Sequence, residues 1–287
     1  MMATALSAEG TLLSPLDPPA APVWGPRVGR LWAKSWPPAL AVVIALALWQ
    51  LLVFLEVRPS YVLPGPIAVF ERLSEMVTEP AFWIGVMTTM TRAVVGFALA
   101  LVIGTVLGAI VARSAVARAA IGSLLSGLQT MPSIAWFPLA ILFFGLTEQA
   151  ILFVILLGAV PSIANGLISG IDDVPPQLVR AGHALGARGF TMLRRVILPA
   201  ALPTYVAGLK QGWAFAWRSL LAGELLVTIS QVTALGVMLS NARAFADAPT
   251  LLAVMIVVLV IGMLVDAAFS AIAGGLRRRR GLGAQRL

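Results

Sequence analysis

Long apolar runs constrain the fold of this chain more than any other feature of its sequence. A helix that crosses a bilayer needs about 20 mainly apolar residues. Six stretches qualify, and they lie at 38–55, about 83–111, about 121–145, 149–170, about 196–227 and 250–274. Only 11% of all residues are charged, whereas soluble domains carry about 25%. The sequence therefore predicts an all-α membrane protein with about six transmembrane helices.

The basic residues indicate which side of the membrane each loop occupies, because lysine and arginine accumulate on the cytoplasmic side. With a cytoplasmic N-terminus, the outer segments contain only Arg58, Arg72 and Arg243. The inner segments contain many more, namely Arg27, Arg30, Lys34, Arg113, Arg118, Arg180, Arg188, Arg194, Arg195, Arg277 to Arg280 and Arg286. Both termini are therefore predicted to be cytoplasmic. Since these residues flank apolar runs, they indicate a lipid bilayer as the partner and no nucleic acid.

The two ends of the chain differ in composition from its apolar middle. Residues 1–35 are rich in proline and mixed in polarity, which is typical of a disordered segment. Residues 277–287 are short and basic. The sequence therefore predicts a disordered cytoplasmic tail at 1–35, a transmembrane domain at 36–276 and a basic cytoplasmic tail at 277–287.

Residue types that carry catalysis or bind cofactors are rare in this chain. It has no cysteine and a single histidine, His183, which argues against thiolate or histidine metal sites and against a Ser/His/Asp triad. Neither lysine, Lys34 or Lys210, follows a glycine, so the sequence lacks the Gly-Lys phosphate loop of many ATPases. We therefore predict a chain that is not an enzyme and holds no cofactor of its own.

Two further patterns concern the packing of the spans. In the outer segment 61–77, Ile67, Phe70, Leu73 and Val77 recur at helical spacing opposite charged residues, which predicts a short amphipathic helix on the outer membrane face. In the second span, Gly104 and Gly108 form a GxxxG step that allows close approach of two helices. We interpret this step as packing within the chain.

The inner loop from about 172 to 195 interrupts the apolar sequence with a compact, basic and glycine-rich segment. It begins with two acidic residues and two prolines, which suit the start of a helix. In the helix that follows, Leu178, Gly182 and Leu185 share one face, and Arg180, Ala184 and Arg188 share another. Small residues on such a helix would allow another protein to approach its backbone closely.

This loop resembles the cytoplasmic loop of permease subunits in bacterial ABC importers, which reads Glu-Ala-Ala, three residues, Gly, a hydrophobic stretch and Leu-Pro. The matching residues are 180–187, Phe190, 195–199 and Pro203, with Arg180 in place of the glutamate and Gly182 in place of the second alanine. Other stretches look like permeases of the nitrate, sulfonate and taurine group: 63–66, 92–96, 131–139, 144–146, 207–209 and 222–224.

The resemblance implies the type I importer permease fold in a bacterial inner membrane, and transport of a small anion such as a sulfonate, taurine or nitrate. It also implies three partners: a second permease copy forming a homodimer, a cytoplasmic ATPase dimer that binds Mg-ATP, and an extracytoplasmic substrate-binding protein. The helix at 178–190 would couple to the ATPase, with contacts from Leu178, Arg180, Ala181, Gly182, Leu185, Gly186 and Ala187.

Ionisable residues inside spans are costly and are candidates for function. In the fifth span we expect Arg218 to attract an anion, and Trp217, with Trp213, to shape the pathway. The alternative is that Lys210 and Arg218 reach the membrane interface or pair with another helix. In that case the two tryptophans only pack against neighbouring helices. For Arg92, reaching the outer interface is expected. Further candidates, which could equally bond a neighbouring helix, are Gln129, Ser133 and Asn165.

Two other features of the spans bear on mechanism. Pro132 and Pro138 are expected to kink or break the third span. A second function, an ion-coupled secondary transporter of a small anion, would need carboxylates near the midplane. Only Glu224 and Asp266 are candidates for that role.

Overall fold

The computed structural model describes residues 27–227, 229 and 232–279, and over these residues the regular elements are helices. Eleven α-helices follow one another along this part of the chain: α1 (Arg27–Phe54), α2 (Pro66–Thr78), α3 (Pro80–Arg113), α4 (Ala115–Thr130), α5 (Phe137–Phe144), α6 (Glu148–Asp172), α7 (Pro176–Ala184), α8 (Gly189–Met192), α9 (Leu198–Leu226), α10 (Leu235–Ala244) and α11 (Ala248–Arg279). A 3-10 turn, Ser133–Trp136, precedes α5, and a π-helical turn, Leu193–Ile197, precedes α9. The all-α prediction is confirmed.

Each of the six predicted spans folds as a helix or a broken helix. Of the described residues, α3, α6 and the stretch 248–276 of α11 are long and apolar enough to cross a membrane by length and composition. The stretches 116–130 and 133–144 add a fourth span if they count as one, and they meet at a bend of 104°. This bend confirms the predicted break at Pro132 and Pro138. The apolar part of α1, 39–54, is shorter, and α9 carries Lys210, Arg218 and Glu224.

The first and last helices extend beyond the predicted transmembrane domain of 36–276. Helix α1 begins at Arg27, so residues 27–35 of the predicted disordered tail lie in this helix. The prolines on which that prediction rested end at Pro26, and the stretch from Arg27 to Lys34 contains none. At the other end, α11 continues to Arg279. The rest of the two predicted tails, 1–26 and 280–287, lies outside the described residues.

Helix α6 is the centre of the packing, with α3 on one side and α9 on the other. Glycines allow the closest approaches: a Cβ placed on Gly166 would lie 2.6 Å from the Cα of Gly208 in α9. On the other side, Gly104 and Gly108 of α3 lie against Ile163 and Ala164 of α6. The interpretation of the GxxxG step as packing within the chain is therefore confirmed.

Helices α2 and α10 cover the N-terminal end of α11, where Val69, Met76, Leu235, Leu239 and Val254 are buried together. The predicted amphipathic helix is therefore present. Three of the apolar side chains that define its predicted membrane face, Ile67, Phe70 and Val77, are 72%, 45% and 43% exposed, so the rest of the described chain does not cover them.

The exposed flank of α2 is fixed to α11 by one arginine. The Nε of Arg72 donates to the Oγ1 of Thr250 at 2.9 Å, and its Nη1 pairs with Glu75 and Glu79. Burial lowers the pKa of Arg72, but the hydrogen bonds to the two glutamates outweigh this effect and leave the pKa above its usual value.

Candidate functional site

One face of α9 remains open in a single chain. Gln211 and Arg218 lie seven residues apart on this face, and both are exposed. The guanidinium of Arg218 lies over the ring of Phe215, at 5.6 Å from its centroid. Arg218 also lines a groove of about 740 Å³ between α9 and α11, together with Trp217, Gly262 and Asp266. Among the described residues Arg218 has no carboxylate partner, so its charge is available to an anion in the groove.

The two tryptophans predicted beside Arg218 pack inside the chain. Trp213 and Trp217 are 7% and 8% exposed, and their rings stack at 6.3 Å between centroids. Trp213 also meets Phe97 of α3 edge-to-face at 5.3 Å and Phe269 of α11 at 6.4 Å. The packing alternative therefore describes Trp213. Trp217 packs as well, and it also lines the Arg218 groove.

Lys210 has the second role that was considered for it, since it pairs with another helix. Its Nζ lies 3.0 Å from the Oδ1 of Asp266 and 3.0 Å from the Oγ of Ser270, both in α11. This pair compensates the charge of Asp266 within the spans. Of the two basic residues of α9, only Arg218 is thus left facing the open groove in the described part of the chain.

The predicted polar residues of α4, the broken span and α6 come together only in part. Gln129 Nε2 donates to the Oγ of Ser162 in α6 at 3.3 Å. Gln129 and Ser133 line a small pocket that also contacts Phe215 of α9. Asn165 lies half-buried on α6, three residues beyond Ser162. The structure therefore brings Gln129 and Ser133 together near α9, whereas Asn165 does not line their pocket.

Arg92 has carboxylate partners that the sequence did not predict. Its side chain is only 10% exposed, and its Nη1 donates to the Oε1 of Glu224 at 2.9 Å. Its Nε donates to Glu148 at 2.8 Å, and its Nη2 bonds the other oxygen of that carboxylate. The sequence did not indicate this pairing, because the two carboxylates belong to α6 and α9, far along the chain. Charge-assisted, bidentate bonds of this kind are the stronger ones in proteins.

Glu224 is the fully buried part of this arrangement, which we call the outer ion node (Thr89, Arg92, Glu148 and Glu224). Besides Arg92, its carboxylate accepts from the Oγ1 of Thr89 at 2.9 Å and from the backbone N–H of Gly236 at 3.0 Å. Thr89 Oγ1 in turn accepts from the N–H of Leu235. The node therefore joins α3, α6, α9 and the first turn of α10. The sequence signal for it was two opposite charges, Arg92 and Glu224, at the outer ends of their spans.

The predicted coupling helix at 178–190 is shorter than expected. Helix α7 ends at Ala184, and Gly186 has a left-handed backbone with φ of 81°. The N–H of Ala187 bonds the carbonyl of Gly182, and the N–H of Gly186 bonds that of His183. This is the Schellman termination, which needs a residue such as glycine at the left-handed position. Gly186 therefore ends α7, and α8 begins at Gly189 after a short break.

The predicted coupling residues divide into a buried set and an exposed set. Gly182 is buried, and a Cβ there would lie 2.9 Å from the terminal methyl of Met192, so this glycine packs against its own chain. Ala187 is half-buried, whereas Arg180, Ala181 and Gly186 are exposed. Large apolar side chains face outwards: Leu178 is 47%, Leu185 89% and Phe190 71% exposed. Phe190 was matched to the family pattern but was missed as a candidate contact.

The predicted coupling segment (residues 176–192, below called the coupling segment) follows directly from the C-terminal end of α6. There the Nη1 of Arg118, in α4, pairs with Asp172 at 2.5 Å. Asp172 is the last residue of α6, and α7 begins at Pro176. The ion pair therefore holds the inner ends of α4 and α6 together beside the coupling segment.

Comparison with known proteins assigns this architecture to a class. The profile of the binding-protein-dependent transport system inner membrane component matches residues 100–278, and the chain belongs to this family of ABC-transporter permeases. A putative ABC transporter permease of Methanocaldococcus jannaschii is 31% identical over 80% of this chain and 85% of its own length. A putative aliphatic sulfonates transport permease of Bacillus subtilis is 29% identical, with coverages of 82% and 83%. The taurine transport permease of Escherichia coli is 27% identical, over 86% of this chain and 91% of its own length.

Solved structures show the same fold. The inward-facing MetNI methionine ABC transporter gives a TM-score of 0.58 at 21% identity and covers 69% of this chain and 99% of its own. A bacterial alginate ABC transporter, in complex with a periplasmic protein bound to alginate pentasaccharide, gives 0.57 at 12% identity, with coverages of 88% and 96%. The predicted permease fold is confirmed. The chain is thus an inner membrane component of a binding-protein-dependent transporter.

Proposed function

We propose that this permease carries a small anionic solute, of the sulfonate, taurine or nitrate kind, along the open face of α9. The observation that supports this most is Arg218, a basic residue of a transmembrane helix that faces a groove and has no carboxylate partner in the described part of the chain. Ionisable side chains of this kind mark substrate pathways in membrane proteins. The B. subtilis and E. coli relatives are named for transport of aliphatic sulfonates and taurine, which both contain a sulfonate group.

The pathway would lie between two copies of the chain. Gln211 and Arg218 are polar and exposed on a helix whose opposite side is buried against α6. Lipid is a poor environment for such a face, because a charge in the bilayer interior is costly. A second copy that faces the first would cover both polar faces and enclose a water-filled route between them. An extracytoplasmic binding protein would deliver the solute to its outer end.

The coupling segment would contact a cytoplasmic ATPase dimer that binds Mg-ATP. Its apolar side chains Leu178, Leu185 and Phe190 are exposed, and a partner surface could bury them. We expect Leu185→Asp to reduce co-purification of the ATPase, because it places a charge in that contact. Phe245→Asp is the matched control, since Phe245 is 82% exposed and lies between α10 and α11, away from the coupling segment. Equal ATPase recovery from both variants would contradict the assignment.

Ion-coupled secondary transport is less well supported than ATP-driven import. The two intramembrane carboxylates that it would use are both engaged, Glu224 by Arg92 and Asp266 by Lys210. Neither carboxylate is therefore left without a cationic partner to bind a coupling ion. Uptake that persists in vesicles without any ATPase would nevertheless support this second function.

The proposal is tested by reconstituted uptake with the cognate ATPase and binding protein. Labelled taurine, an aliphatic sulfonate and nitrate are compared with a neutral solute in proteoliposomes. We expect Arg218→Ala to lower anion uptake about tenfold, which corresponds to the loss of one charged contact of roughly 1.4 kcal/mol. Arg218→Lys should keep most of the uptake. Unchanged uptake in Arg218→Ala, or an equal loss in the control Arg243→Ala at the outer surface, would overturn the proposed role.

A further inference from the structure

The outer halves of α3 and α6 border an open cavity that is separate from the proposed transport pathway. From Gly96 inwards the two helices are in close contact, since a Cβ on Gly96 would lie 2.9 Å from Ile155. Outwards from this point they diverge and leave a cavity of about 800 Å³. Most of its wall is apolar, with Ile84, Met87 and Leu152 among the lining residues. A polar end is formed by the side chains of Arg92 and Glu148.

The guanidinium of Arg92 has hydrogen-bonding capacity left for a ligand. It carries five N–H groups, and three of them are used, one for Glu224 and two for Glu148. The other two have no acceptor among the residues that the structure describes. Because the side chain is nine-tenths buried, an acceptor from outside the chain would have to come through the cavity. Buried donors that lack a partner are costly, which favours such an acceptor.

The carboxylate of Glu148 gives the same end of the cavity a second polar group. It is 52% exposed, and over the described residues its only salt-bridge partner is Arg92. Two carboxylates and one guanidinium meet here, so the node carries one negative charge in excess. A ligand with an oxyanion alone would meet this excess charge. One that carries both an oxyanion and an ammonium group would satisfy Arg92 and Glu148 together.

We infer that this cavity binds a phospholipid with a primary ammonium headgroup, phosphatidylethanolamine. Its phosphate would accept from the two free N–H groups of Arg92, and its ammonium would donate to Glu148. An acyl chain would lie along Ile84, Met87 and Leu152. This site is separate from the α9 face, so the inference does not depend on which solute the permease carries.

Headgroup chemistry gives the site a definite order of preference. Phosphatidylcholine has the same charges, but its trimethylated nitrogen has no N–H to donate to Glu148. Phosphatidylglycerol has a net negative charge and is disfavoured by the excess carboxylate. We therefore expect ethanolamine lipids to bind best, choline lipids less well and glycerol lipids least.

The inference is tested by native mass spectrometry of the full-length permease with each of these three lipids added at equal concentration. In the unmodified chain we expect ethanolamine adducts to exceed glycerol adducts by about threefold or more, as for one partly exposed charged contact. Glu148→Gln should bring this ratio close to one while the protein remains folded, because Glu224 still pairs with Arg92. Leu152→Trp, which fills the apolar part, should lower the adducts of all three lipids.

Glu71→Gln is the matched control, because Glu71 is an exposed glutamate of α2 that does not line the cavity. It should leave the lipid ratio unchanged. Equal binding of the three lipids to the unmodified chain would overturn the inference, as would an unchanged ratio in Glu148→Gln. A disulfide between two copies that each carry Gln149→Cys would show that a second copy covers the cavity, and this result would also overturn it. None of these measurements involves transport, so a failure here is distinct from a failure of the proposed pathway.

Discussion

Two arginines inside the spans, Arg92 and Arg218, have opposite surroundings. Arg92 is nearly buried and is shared by Glu148 and Glu224. Arg218 is exposed on α9 and contacts the ring of Phe215. An arginine thus has a structural role where other helices supply carboxylate partners, as at Arg92. It has a candidate transport role where no carboxylate pairs with it, as at Arg218 among the described residues. The difference teaches that a charge in a span becomes a functional candidate only after its partners are known.

The largest effect that would sharpen this comparison is expected from Arg92→Ala. The substitution leaves Glu224 buried without its cation, and breaking a buried pair in this way costs about 3–5 kcal/mol. We expect a large loss of thermal stability in detergent and a low yield of folded protein. Arg92 variants that retain the stability of the unmodified chain would contradict the role of the node.

Removing both partners should cost less than removing Arg92 alone. In Arg92→Met with Glu224→Met no buried charge is left unpaired, since Glu148 is about half exposed, and apolar replacements of a buried pair are often neutral. We expect thermal unfolding to place the double variant above Arg92→Ala in stability. A double variant as unstable as the single one would show that packing, and not charge, determines the effect.

A smaller effect is expected from Glu148→Gln. Glu148 is about half exposed, and pairs of this kind contribute about 0–1 kcal/mol. Arg92 keeps Glu224 as its partner, so the node remains neutralised where it is buried. The temperature of thermal unfolding should therefore change little. A loss as large as that of Arg92→Ala would mean that Glu148, and not Glu224, holds the node together.

The smallest effect on stability is expected from Arg218→Ala. Its side chain is exposed and has no carboxylate partner among the described residues, so the change should stay within about 0.5 kcal/mol. The measurement is thermal unfolding in detergent, made beside the uptake assay. A large loss of stability would show that Arg218, like Arg92, has a structural role, and would contradict the difference drawn between them.

The sequence predicted the features that depend on local pattern. Apolar length predicted the helices of the spans, Pro132 and Pro138 predicted the 104° bend, and Gly104 with Gly108 predicted close packing. Each of these depends on residues close together in the chain. The sequence pattern around residues 180–203 also indicated the family, which the profile match confirmed.

Features that depend on distant parts of the chain were beyond the sequence. The partners Arg92 and Glu224 are separated by 132 residues, and no periodicity connects them. The sequence did not indicate that Val69 and Met76 of α2 are buried, because α10 and α11 supply the residues that cover them. Gly182 was placed on an open face, but Met192 from the following turn covers it. The left-handed turn at Gly186, in contrast, follows a local rule for helix ends and could have been predicted.

The most direct test of the account is the water accessibility of the α9 face. The chain contains no cysteine, so Gln211→Cys and Val102→Cys each introduce a single thiol. Val102 is 62% exposed on α3 and is the matched control. Only an ionised thiolate reacts with a charged, membrane-impermeant methanethiosulfonate, so a thiol in lipid stays unmodified. In the assembled transporter we predict that Gln211→Cys is modified, that the transported anion protects it, and that Val102→Cys is not modified. An unreactive Gln211→Cys beside a reactive Val102→Cys would contradict a route along α9.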